Sequence, residues 1–163
     1  MAPPSVLSEP ITDASGLPKL VSAMRSRILQ ACRTGDIEAL RVPIDRNEVR
    51  PLFEKSAHRD PGADPIETLK RLSFDGKGRE TLALLPAVLS QACVREVRGP
   101  VTMYVWPAFA FAPPKDPTPD ERQVMLTCLK FADLGRIDGD RAPFMRLGIG
   151  ADGMWHYFWN EAA

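Results

Sequence analysis

The chain has no surplus of charge: 21 Lys and Arg stand against 21 Asp and Glu, with no long block of either sign. Nucleic-acid binding usually leaves a basic excess, so no nucleic-acid partner is expected. No apolar run approaches the length of a membrane span, so no membrane crossing is expected either. Histidine is scarce. His58 and His156 are the only two, and neither falls in an H-x-x-x-H pair or beside a cysteine pair. The three cysteines, Cys32, Cys93 and Cys128, lie far apart with no C-x-x-C between them. These spacings rule out the usual thiolate zinc and redox motifs, and the expected metal and cofactor content is none. G-x-S-x-G is absent as well, so the nucleophile elbow of a serine hydrolase is missing.

What remains is an ordinary globular composition, 44% hydrophobic and 26% charged over 163 residues. That is enough chain for one domain with a core of its own. The opening "MAPPSVLSEPITDASG" lacks a charged start and an apolar stretch, so it does not read as an export signal. Residues 1–16 are expected to be a flexible lead-in, and 17–163 a single α+β domain.

Helical spacing appears first. Leu20, Val21, Met24, Ile28, Leu29 and Cys32 mark an apolar stripe on a helix from near Pro18 to Arg33, ended by Gly35. "GDIEALRVPI" starts a second, short helix with Asp36 as cap and Pro43 as breaker. The pair has the look of an ankyrin hairpin, but nothing similar recurs about 33 residues later, so the chain is no repeat protein. "DPIE" (Asp64 to Glu67) and "TPDE" (Thr118 to Glu121) each offer a cap, a proline in the first turn and a Glu able to close a capping box. Between them "GRETLALLPAVLSQA" is a further apolar helix with Pro86 inside it.

Strand signals come late. "CVREV" and "VTMYVWPAFAF" flank Arg98-Gly99-Pro100, and "FMRLGIG" and "MWHYFW" flank Asp152-Gly153. The expected fold is therefore α+β, about five helices packed on a small antiparallel sheet built largely from two β-hairpins.

Three fragments imitate known chemistry. Gly148, Gly150 and Gly153 satisfy G-x-G-x-x-G, but a dinucleotide site needs a helix after the glycine turn, and here an aromatic strand follows. His58-Arg59-Asp60 has the letters of a kinase catalytic loop, which needs an Asn where this chain has Pro65. Asp133, Asp138 and Asp140 cluster, with Gly139 misplaced for a calcium loop.

The aromatic residues carry the best candidate for function. With a two-residue turn at Asp152-Gly153, Leu147, Ile149, His156 and Phe158 fall on the core side, with His156 partly buried. Trp155, Tyr157 and Trp159 fall opposite, across Gly150, Gly148 and Arg146. A cation–π contact of Arg146 over Trp159 is the expectation there. Tyr104 and Trp106 share a face of the earlier strand. The candidate binding residues are thus Tyr104, Trp106, Arg146, Trp155, Tyr157 and Trp159. A packed, self-covered sheet face is the plainer reading of the same residues.

The stretches "ILQACRTGDIEALRVPIDRNEVRPLF", "GADPIETLK", "DGKGRETLALLPAVL", "YVWPAFA" and "RLGIGADGMWHYFW" together resemble a family of bacterial proteins of unknown function, mostly alphaproteobacterial. Members usually look exported. The resemblance implies a mature or trimmed form in the periplasm, with a cytoplasmic location as the alternative. It carries no activity and no site residues. In an oxidising compartment, Cys32 and Cys128 are the expected disulfide partners; otherwise all three cysteines are expected to be buried thiols. Two functions follow: a non-enzymatic cell-envelope module binding a protein or small molecule at the aromatic sheet region, or a small hydrolase-like enzyme pairing Cys93 or Cys32 with His58 or His156.

Overall fold

The computed structural model describes residues 4–54, 62–135 and 142–160. Among them are six α-helices and five strands in one antiparallel sheet of order β1-β2-β3-β4-β5. The strands are β1 (Ser5–Leu7), β2 (Val94–Arg98), β3 (Val101–Trp106), β4 (Arg146–Gly150) and β5 (Trp155–Trp159). The helices are α1 (Lys19–Arg33), α2 (Arg41–Asp45), α3 (Pro65–Leu72), α4 (Arg79–Leu89), α5 (Ala108–Phe111) and α6 (Pro119–Leu126). The α+β architecture with two late hairpins is the one the sequence pattern specifies.

Helix α1 buries Val21, Met24, Ile28, Ala31 and Cys32. It packs against α2, α4 and β4. Leu20, expected in that stripe, is exposed instead. It borders the final hairpin, since a Cβ on Gly153 would lie 3.0 Å from the Leu20 Cβ. Gly35 follows the helix with φ 73°, the left-handed conformation that glycine accepts without a Cβ penalty. Asp36 then caps a 3-10 turn over Ile37–Leu40 that runs directly into α2.

The two look-alike helix starts are used differently. Thr118 and Glu121 form the full capping box, each side chain accepting from the other's backbone N–H at 3.1 Å. Asp64 makes no side-chain cap bond. Its carboxylate instead accepts two bonds from the Arg41 guanidinium, at 2.6 and 2.7 Å. This bidentate pair, which holds the Asp64 carboxyl below its ordinary range, joins the α2 start to the α3 start. A fork of parallel N–H donors suits Arg to that geometry.

The N-terminal segment carries the first strand. Ser5, Val6 and Leu7 pair with Arg98, Val97 and Glu96 as the outermost strand of the sheet. Farther along, Ile11 exchanges backbone bonds with Cys93 at 2.7 and 3.1 Å. The segment answers N–H and C=O groups that β2 would otherwise present at an open edge.

At the other edge, Leu52 runs parallel to β5. Its N–H donates to the His156 carbonyl and its carbonyl accepts from Phe158, both at 2.9 Å. The Asn47 Oδ1 accepts from the Trp155 N–H at 2.8 Å.

Cross-strand pairing sorts the side chains into rows. On the inner face Trp106, Leu147 and Phe158 form one row, and Tyr104, Ile149 and Trp155 a second. On the outer face Val94, Val105, Gly148 and Tyr157 form a row across four strands. Leu7, Glu96, Met103 and Gly150 form the next. Val94, Val105 and Ala108 bury a small outer cluster beside Phe111 and Tyr157.

Candidate functional site

The last hairpin decides which aromatic rings can be reached from outside. Its turn contains three residues, not two: the Gly153 N–H donates to the Gly150 carbonyl, and the Gly150 N–H to the Met154 carbonyl, each at 2.9 Å. Gly153 takes φ 85°, the left-handed residue that ends a three-residue loop of this type. The longer loop moves the pairing by one, so Trp155 stands opposite Ile149. A bulge at His156 then restores the expected pairs Gly148–Tyr157, Leu147–Phe158 and Arg146–Trp159.

Two side chains exchange places as a result. Trp155, expected on the outer face, is inside and only 1% exposed. It meets Phe53 edge-on at 5.4 Å, and its indole N–H donates to the Tyr157 carbonyl at 3.2 Å. His156, expected on the core side, is outside with its side chain 43% exposed. Its Nε2 lies 3.9 Å from the Asp152 carboxylate.

Of the six candidate residues, Tyr104, Trp106 and Trp155 therefore belong to the main core. Arg146, Tyr157 and Trp159 share the outer face. Tyr157 and Trp159 stack with centroids 5.3 Å apart and planes 20° from parallel. The Arg146 guanidinium lies 4.6 Å from the centroid of Phe111, a ring that sequence spacing does not place there, and donates to the Ala110 carbonyl at 3.0 Å. This arrangement is a ring-lined surface bordered by the Arg146 cation. It can offer stacking and dispersion contact over an area.

The catalytic candidates come out otherwise. Cys32, Cys93 and Cys128 are all buried free thiols, so the Cys32–Cys128 bridge is not formed. Burial pushes the Cys32 thiol up to about 12 and those of Cys93 and Cys128 to about 11. A nucleophilic cysteine needs the opposite shift. His58, Asp138 and Asp140 lie outside the described residues. Asp133 accepts a 3.1 Å bond from Asn160 Nδ2. Among the described residues no group of three His, Cys, Asp or Glu side chains is placed to hold a metal ion. Gly148 and Gly150 lie on β4 and Gly153 in the turn, with a strand after them. No described helix is long and apolar enough to cross a membrane.

Sequence spacing gave no signal for a second aromatic pair. Phe74 and Phe131 are 67% and 59% exposed, with ring centroids 4.4 Å apart. One carboxylate aligns them: Glu80 accepts from the Phe74 N–H at 3.1 Å and from the Phe131 N–H at 2.8 Å. Only the tertiary fold brings positions 74, 80 and 131 together. No family model matches the chain, and neither a curated protein nor a solved structure matches it.

Proposed function

We propose that the protein is a non-enzymatic binding module of the cell envelope that takes a protein partner on its outer sheet face. The observation that carries this reading is the Tyr157–Trp159 stack beside Arg146 on that face. Aromatic side chains and Arg are the residue types enriched where proteins meet. Met103 on the same face, with the exposed Leu7 and Val101, extends the apolar area around them. The rings are spread along two adjacent strands, an extended contact area of the kind a macromolecule covers. Against a cysteine-dependent enzyme, thiols pushed to about 11 or higher stay protonated at neutral pH. The periplasmic location rests on the family resemblance alone.

Photo-crosslinking in cells tests the reading. A crosslinking amino acid at position 159 is expected to capture one discrete partner, while the same group at Glu38 captures none. Capture from position 131 and not from 159 would move the contact surface to the Phe74–Phe131 pair. Absence of capture from 159, or a hydrolase activity abolished by Cys93→Ala in a folded protein, would overturn it. Fractionation of the producing cells tests the compartment, and recovery with the cytoplasmic proteins would reject the periplasm.

A further inference from the structure

Away from the sheet's outer face, a pocket of about 120 Å³ opens between the N-terminal segment, α1 and the end of α4. Ile11, Asp13, Arg25, Gln91, Cys93 and Trp106 are among its walls. Trp106 and Cys93 are buried core residues and supply an apolar floor. The Arg25 guanidinium is half-buried. Its Nε and Nη2 both donate to one acceptor, the Leu89 carbonyl, at 3.2 and 2.9 Å. That contact ties α1 to the C-terminal end of α4, where a cation is favoured by the helix dipole. It uses two of the five N–H donors of the group. Arg25 lines the pocket and forms no ion pair with a carboxylate among the described residues, which leaves three of its donors for an acceptor that the Leu89 contact does not supply.

The opposite charge stands at the rim. Asp13 accepts from the Ser15 N–H at 2.9 Å and is exposed. The Gln91 amide spends its N–H donors on the Ala87 carbonyl and the Ser90 hydroxyl, at 3.1 and 3.3 Å. Its carbonyl oxygen is left as an acceptor. A partly buried cation, an anion and a neutral acceptor thus border one small space.

We propose that this pocket binds a small zwitterion of the α-amino-acid class. The ligand carboxylate takes the free Arg25 donors, and the ammonium takes Asp13 and the Gln91 carbonyl. The volume lies well below the roughly 300–1,000 Å³ of drug-sized sites, which limits the side chain to a methyl or hydroxymethyl group. A plain carboxylate would meet Arg25 but be repelled by Asp13. An amine alone would face the guanidinium. Charge complementarity of this kind selects by penalising the wrong ligand as much as by holding the right one. The site is separate from the sheet face, and neither reading depends on the other.

The test is a titration of the isotope-labelled full chain with L-alanine, followed through the Trp106 indole N–H and Arg25 Nε–H resonances. Saturable shifts of both signals in the millimolar range are expected, with acetate and ethylamine producing none at equal concentration. Arg25→Lys loses the forked donor set and should weaken alanine binding about tenfold or more, as expected for a charged hydrogen bond of ~1.5–3 kcal/mol. If that variant does not fold, Asp13→Asn at the exposed rim serves instead: it should weaken alanine and admit acetate. Shifts with acetate as large as with alanine in the unmodified protein would overturn the zwitterion, and no shift with any of the three probes would overturn the site.

Discussion

The Tyr157 ring lies directly over Gly148: a Cβ added to that glycine would meet the Tyr157 Cε1 at 2.5 Å. The two residues are cross-strand partners on β4 and β5. The glycine is there for the space it leaves, and the ring covers the backbone it exposes. Gly148→Ala is therefore expected to cost about 1–3 kcal/mol, the range for overpacking a filled site. In a Tyr157→Ala background the same change should cost less, with a coupling of about 0.5–3 kcal/mol. Urea unfolding of the four proteins gives the value; strict additivity would show that the ring does not rest on the glycine.

The bulge at His156 separates neighbours in a way that stability can read. Trp155→Ala and Phe158→Ala remove core side chains that are 1% and 3% exposed, and each should cost about 3–5 kcal/mol. Trp159→Ala and His156→Ala, on the outer face, should cost distinctly less. An equal loss from Trp155→Ala and His156→Ala would mean that the register runs on without the bulge.

Thr118 and Asp64 occupy equivalent positions in similar four-residue signals, so paired substitutions show what each is doing. Thr118→Ala removes a capping bond and should cost about 1 kcal/mol with little dependence on mild acid. Asp64→Ala removes an ion pair. The Asp64 carboxyl is held below its ordinary value of 3.8, chiefly by its hydrogen bonds from Arg41. Its stabilisation is present above that value and lost as pH falls through the lowered one. The difference between wild type and Asp64→Ala should therefore shrink on acidification below about pH 4, whereas that for Thr118→Ala should not.

The cysteines predict the opposite limb of the pH curve. Burial raises the Cys93 and Cys128 thiols from the ordinary 9.0 to about 11. Above pH 9 the unfolded chain gives up protons that the folded chain keeps, so rising pH favours unfolding up to the folded values. Stability should decline between pH 9 and 11, and part of that decline should vanish in a variant with all three cysteines changed to alanine. Thiol reagents should label the native protein only at the rate of unfolding. Rapid labelling at neutral pH without denaturant would contradict the burial.

The sequence by itself determined the local elements and most of their faces. The apolar period of α1, the Thr118 capping box and the two late hairpins follow from spacings of a few residues, because caps and side-chain alternation are short-range rules. So did the pairing of rings with glycine at Gly148–Tyr157, which survives because the bulge cancels the one-residue shift introduced by the longer turn. The tertiary structure decided the rest. A strand period cannot say where a bulge falls; the space beside Phe53 and Ile149, which takes the Trp155 indole, places it there and sends His156 outward. Spacing cannot reveal that the Asp64 carboxylate answers Arg41 ahead of its own helix, or that Ser5 to Leu7 close the edge of β2. Nor can it join Arg25 to the end of α4, or Phe74 to Phe131 through Glu80. These contacts link residues far apart in the chain, and only the packed core fixes which of them meet.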